Sequence, residues 1–296
     1  MSFLYALLEI RTPLLDTVFG LITRLGEETI TIIVMCAVFW CIDKRLAYSV
    51  GVTYFISGLT VQGLKISCRI DRPWVRDPAF QPVEGSKTAA TGYSFPSGHT
   101  QSAFSLFGSI GFYIKKRWLS IVCLAVAVLV GFSRMYLGVH TPADVLVGMA
   151  ISVVMAWVAV KYIVKENTTV KRELAILSVL LVFCAALLII AFVLYGSGVI
   201  DEHYVLDSCK SVGAGLGFAV AMFIERCYIK FETKCRSIWM QIIKFVLGFA
   251  GVLIIKEGLK LVVGTGLFID TVRYFLMIVW AMAVYPLVIK KLFAKK

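Results

Sequence analysis

The chain has 296 residues, of which 59% are hydrophobic and only 16% charged, where a soluble domain would carry charge on about a quarter of its positions. Its mean hydropathy of +0.87 and its apolar runs from end to end exclude an ordinary soluble domain and indicate a polytopic helical membrane protein. The net charge of +12 then belongs to basic loops between spans, and no nucleic-acid partner is expected.

The first apolar residues, Phe3 to Ile10, form a short stretch interrupted by Glu9 and Arg11, which does not fit a cleavable signal peptide. Pro13 to Leu25 has apolar residues at helical spacing with Asp16 and Arg24 on other positions, and is expected to be a short N-terminal interfacial or re-entrant helix. Nine spans are expected after it. They cover about residues 28–42, 46–66, 96–114, 118–136, 142–164, 173–195, 208–229, 237–261 and 271–293. A polar loop with Pro and Gly, about residues 67–94, separates the second and third. The expected fold is therefore all-α, a polytopic membrane helix bundle forming one integral domain over residues 1–296, without an internal repeat. Eight cysteines show no CxxC pair and no histidine at ligand spacing; Cys36, Cys123 and Cys184 fall inside apolar runs, where Cys is a small hydrophobe. Neither a metal site nor a disulfide framework is expected.

Threading nine spans puts Lys44-Arg45, Lys115-Lys116-Arg117, the Lys161 to Arg172 segment, the Arg226 to Arg236 segment and the Lys290 to Lys296 tail on one side. That side is expected to be cytoplasmic. The other side carries the acidic Asp201-Glu202 and Asp207 turn, and three groups of residues with chemical potential.

Lys65 and Arg72-Pro73 bracket the outer end of the second span. Arginine offers a planar fork to two phosphate oxygens and lysine a compact charge, although both residues also suit snorkelling anchors at a helix end. Pro96-Ser97-Gly98-His99 opens the third span. A helix start with a glycine lets an anion approach free N–H groups, and His99 there could protonate a departing oxygen; a plain cap by Ser97 fits the same pattern. Ser133-Arg134 lies near the outer end of the fourth span, and His140 and Asp144 straddle the start of the fifth, four apart and so on one face. Asp144 could then hold one imidazole nitrogen and leave the other free to attack phosphorus. His203, in the acidic turn, lacks such company and is expected on the surface.

As a set these residues resemble the signature of the type-2 phosphatidic acid phosphatase superfamily, which includes lipid phosphate phosphatases, glucose-6-phosphatase and vanadium haloperoxidases. The signature is matched at Lys65, Arg72 and Pro73, at Pro96 to His99, and at Ser133, Arg134, His140 and Asp144. The resemblance implies His140 as a nucleophile that becomes phosphorylated, Asp144 as its orienting partner and His99 as the acid for the leaving group. It implies phosphate binding by Lys65, Arg72, Ser97, Gly98 and Arg134, with no metal and no cofactor. It also implies a phosphatase core over residues 46–164, leaving residues 173–296 as additional helices similar to those of the sphingosine-phosphate phosphatase and glucose-6-phosphatase branches.

The expected activity is hydrolysis of a lipid phosphate monoester or lipid pyrophosphate at the extracytoplasmic surface, in a bacterial plasma membrane, through phosphohistidine. A head-group phosphotransferase, or a phosphatase of a soluble sugar phosphate, would use the same residues. An anion channel or transporter would instead need working ions deep in the bilayer, for which Lys244, Lys256, Glu257 and Lys260 are the candidates; their spacing suits a helix end or a helix–helix pair. The Gly213 to Gly217 run suits close helix packing within the chain or between copies, and the oligomeric state stays open.

Overall fold

The computed structural model describes residues 1–88, 90–235 and 237–292. Arg236, Phe293 at the end of the last expected span, and the tail beyond it lie outside the described residues. Among the described residues the chain is helical throughout, with no strand.

Two short helices lead, α1 (Ser2–Glu9) and α2 (Pro13–Arg24). Thr12 caps α2, and Pro13 suits its first turn because a missing N–H costs nothing there. Then come α3 (Glu28–Ile42), α4 (Lys44–Cys68), α5 (residues 98–113), α6 (Arg117–Tyr136), α7 (Pro142–Ile163), α8 (Val170–Gly196), α9 (Glu202–Ile229), α10 (Ile238–Val263) and α11 (Leu267–Leu292). The expected count of nine spans is not confirmed. Six helices, α6 to α11, are long and apolar enough to cross a membrane, and a seventh candidate is the α2–α3 pair, bent by 48°. The sequence reading took α2 as a short interfacial or re-entrant helix ahead of the spans. Here it leads into α3 through that bend and packs on α6, where Phe19 lies 4.3 Å from Tyr136 and 5.4 Å from Phe132, ring centre to ring centre.

Helix α4 is the axis of the fold. Its apolar residues do not gather on one face, the pattern of a helix surrounded by protein, and α5, α7, α8 and α9 all touch it. Small hydroxyl residues join α4 to α5. Ser57 Oγ lies 3.0 Å from Ser105 Oγ, Ser109 donates to Thr53 at 3.1 Å, and Gln101 Nε2 donates to Ser57 at 2.8 Å. Such a seam lets two helices approach closely while every hydroxyl keeps a partner.

The C-terminal helices close against this core. The glycine run of α9 packs within the chain: a Cβ on Gly213 would collide with the Thr271 carbonyl oxygen, and one on Gly217 would sit 2.7 Å from that of Phe275. At the end rich in basic residues, Lys44 pairs with Glu225 at 2.8 Å, Arg226 pairs with Glu173 at 3.0 Å, and Tyr48 donates to Glu225. Lys256 pairs with Glu28 at 3.2 Å, tying α10 to α3, and Lys244 donates to the Thr233 carbonyl at 2.6 Å. These two cations serve helix contacts and caps, the structural use their spacing suggested.

Candidate active site

Four helix ends converge opposite the basic end. Lys65 stands in the last turn of α4, Gly98 and His99 open α5, Arg134 lies in the last turn of α6, and His140 precedes α7, whose first turn holds Asp144. Arg72 comes from the loop between α4 and α5, just before a single helical turn, Pro73–Arg76.

The start of α7 is fixed by a reciprocal cap. Thr141 Oγ1 accepts the Asp144 N–H, and the Thr141 N–H donates to Asp144 Oδ2 at 2.7 Å. The same carboxylate oxygen accepts the Ser94 hydroxyl at 2.5 Å and lies 3.4 Å from His140 Nδ1. The last separation is long for an N–H···O bond. On the other side of the ring, Arg72 Nη1 lies 2.9 Å from His140 Nε2. A guanidinium nitrogen only donates, so Nε2 must carry a lone pair and the ring proton must be on Nδ1, toward Asp144.

Arg72 is held on its remaining nitrogens. Nε donates to the Gly92 carbonyl at 2.9 Å, Nη2 to that of Thr91 at 2.7 Å, and Nη1 also to that of Val139 at 3.0 Å. Gly92 presents its carbonyl from a backbone with φ of +67°, where a side chain would be strained. Burial lowers the Arg72 pKa to about 10, which leaves it cationic at neutral pH. Burial also pushes His140 well below the ordinary histidine value; the neighbouring Asp144 carboxylate opposes this, and the charges of Arg72 and Arg134 reinforce it. His140 is therefore neutral near pH 7.

Arg134 is 1% exposed and uses one nitrogen, Nη1, to donate to Thr23 Oγ1 at 2.9 Å. Its Nε and Nη2 are buried without a hydrogen-bond partner, and so are His99 Nε2 and His140 Nδ1. Such orphans in a native fold need a reason; His140 Nδ1 faces the Asp144 carboxylate, whereas the two free Arg134 nitrogens and the first N–H groups of α5 suit an anion. Ser97 is committed elsewhere. Its hydroxyl accepts from Thr100, and its N–H donates to the Asp144 carbonyl at 2.9 Å, binding the start of α5 to that of α7.

The eight residues singled out from sequence thus meet at one end of the bundle. Lys65, Gly98 and His99 line a cavity of about 390 Å³, while Arg72, Arg134, His140 and Asp144 form the buried group behind it. Thr91 and Gly92, whose carbonyls hold Arg72, line the same cavity and connect the two sets. Sequence reasoning missed Ser94 and Thr23. Ser94 lies two residues before Pro96, which is a signal of sorts; Thr23 is 111 residues from Arg134 and had none.

Residues 46–168 match the family model described as PAP2 superfamily, and residues 209–296 match that described as PAP2 superfamily phosphatase, transmembrane extension. This chain belongs to the PAP2 superfamily. It is similar to Phosphatidylglycerophosphatase B of Bacillus subtilis, at 27% identity over 166 residues that cover 49% of this chain and 74% of that protein. It is also similar to a Dictyostelium discoideum protein named "Probable sphingosine-1-phosphate phosphatase", at 30% identity over 48% of this chain and 37% of that protein. The crystal structure of Aquifex aeolicus LpxE superposes with a TM-score of 0.48 and 25% identity, over 54% of this chain and 94% of that one. With relatives named as lipid phosphatases and a matching transmembrane extension, the chain is a phosphoric monoester hydrolase of the lipid phosphatase type, embedded in a membrane.

Proposed function

We propose that the protein hydrolyses a lipid phosphate monoester through a phosphohistidine at His140, with the site on the extracytoplasmic side of a bacterial plasma membrane. The observation that carries this reading is the Arg72–His140–Asp144 arrangement, which leaves His140 neutral with its Nε2 lone pair directed at a cation. A phosphate entering the site offers its oxygens to Arg72, Arg134, Lys65 and the first N–H groups of α5. Once a phosphate oxygen replaces Nε2 as the acceptor of the Arg72 Nη1 proton, Nε2 is free to attack phosphorus. The bond from phosphorus to the ester oxygen breaks, and His99, protonated, gives its proton to the departing alkoxide. His99 then accepts a proton from water as that water attacks phosphohistidine, which releases phosphate and restores His140. Charge stabilisation by preorganised donors is the main source of rate in phosphoryl transfer, and three cations at one site are suited to supply it without a metal.

The nine-span topology belongs to the same reading. Helix α4 has 25 residues, about 37 Å at helical rise, enough for a hydrocarbon core of about 30 Å. Its low hydropathy reflects neighbours that are protein rather than lipid. Helices α6 and α7 meet at the site, and the end of α4 and start of α5 meet them there, so α4 and α5 run beside them across the same layer.

Purified protein given a radiolabelled lipid phosphate in EDTA should release phosphate and, on rapid quenching, carry a label that is stable to alkali and lost in acid. His140→Ala should abolish both while the protein remains folded. Turnover in a folded His140→Ala protein sinks the assignment; label recovered on an added alcohol in place of free phosphate makes the protein a phosphotransferase.

A further inference from the structure

The cavity at the site does not end at the headgroup. From Lys65 it continues between the core and the C-terminal helices to Phe39 and Ala47. Lys65 and Ala47 are both on α4, 18 residues apart and so separated by about 27 Å along the helix. That is nearly the hydrocarbon thickness of a bilayer, about 30 Å. Compact ligand pockets of about 300–1,000 Å³ bury a drug-sized molecule, whereas here about 390 Å³ is drawn out over that length. The shape is a narrow slot.

Its chemistry changes with depth. The lining is polar near the site, where Glu28, Asp207 and Lys210 join Lys65, His99 and Tyr204, and becomes mostly apolar toward Phe39 and Ala47. Ala214 of α9, Val252 of α10 and Met277 and Met282 of α11 form one wall, facing Met35 and Phe55 from α3 and α4. Methionines adapt to an irregular flexible occupant better than branched side chains do. Phe39, which lines the far part of the slot, packs its ring edge-on against Tyr48 at 5.6 Å and Phe231 at 5.2 Å.

We propose that the substrate inserts one long, unbranched hydrocarbon tail into this slot, so that the C-terminal helices select for tail length while the core performs the chemistry. The proposal rests on the reading of the site as a lipid phosphatase. Its occupant is a single-chain lipid phosphate, or one chain of a two-chain lipid whose second chain stays in the bilayer.

The test uses butyl, hexyl, octyl and decyl phosphate below their micelle concentrations, so that the tail leaves water and not detergent. kcat/KM should rise with each added methylene, toward the fourfold step that burying a CH₂ from water represents at about 0.8 kcal/mol. Ala214→Phe, which places a ring partway down, should lower the decyl-to-butyl ratio of kcat/KM at least tenfold, and a ratio does not depend on how much protein folds. A non-hydrolysable hexadecyl phosphonate with a terminal photoreactive group should label peptides containing Phe39 and Met282. Phosphate release indifferent to chain length, or a ratio unmoved by Ala214→Phe, overturns the slot and leaves the catalytic reading standing. No release from any substrate overturns the catalytic reading, and photolabelling alone then decides the slot: labels confined to lipid-facing residues reject it.

Discussion

Arg72 Nη1 lies 2.9 Å from His140 Nε2, so the guanidinium charge bears directly on the protonation of that ring. Two consequences follow at single residues. Protonating His140 is disfavoured first by burial and also by the charges of Arg72 and Arg134, so the acid limb of kcat/KM belongs below the ordinary histidine value of about 6.5. Arg72→Gln removes a cation that opposes protonation, and the limb should move upward in pH along with a loss of activity of about 10²–10³-fold; a pH–rate profile whose limb stays in place contradicts this electrostatic account. Ser94 acts through Asp144. It donates to the carboxylate oxygen nearest His140, and a hydrogen bond to a charged group contributes about 1.5–3 kcal/mol. Ser94→Ala should thus reduce kcat about tenfold or more with KM little changed, because substrate does not touch Ser94. A rise in KM alongside the fall in kcat would make Ser94 part of the binding surface.

Among the elements, the contact most sensitive to a small change is that of α9 with α11. A side chain at Gly217 meets a backbone carbonyl, which cannot rotate aside, and overpacking of this kind costs about 1–3 kcal/mol. Gly217→Leu should lower Tm in detergent, whereas Gly196→Leu, where a Cβ has open space, should leave it nearly unchanged; equal effects would mean that α9 and α11 do not pack through this glycine. The elements also explain what was legible in the sequence. Helix positions followed from long apolar runs between basic turns, and the site from residue types that are costly beside a membrane unless used, as with Arg72, Arg134, His140 and Asp144. The partners of those residues were not legible. Thr23 reaches Arg134 only because α2 folds against α6, a contact set by Phe19 and Tyr136 across a long sequence gap. The span count is unconfirmed for a related reason: hydropathy measures suitability for lipid, and α4 is surrounded by helices. Nothing in one sequence indicated that α9, α10 and α11 would stand against α3 and α4 with a gap between them.

For the whole molecule, the decisive question is which side of the membrane holds the site. The helix ends sort cleanly. Lys65, His99, Arg134 and His140 gather at one end, and Lys44, Arg226 and their carboxylate partners at the other. Basic loops favour the cytoplasm, and in the proposed reading the cations of the site are exceptions that pair with the substrate's phosphate. Two positions read this directly. Cys68 is an exposed cysteine at the site end of α4, and the Glu166 side chain, 85% exposed, lies at the opposite end between α7 and α8. In proteins with a single cysteine, either Cys68 alone or an introduced Glu166→Cys alone, a membrane-impermeant maleimide applied to intact cells should label the first and reach the second only after permeabilisation. The reverse pattern would place phosphate release in the cytoplasm and make the basic end the external one. A slot that opens beside Lys65 would then draw its lipid from the inner leaflet, so the same labelling experiment also fixes the leaflet that supplies the substrate.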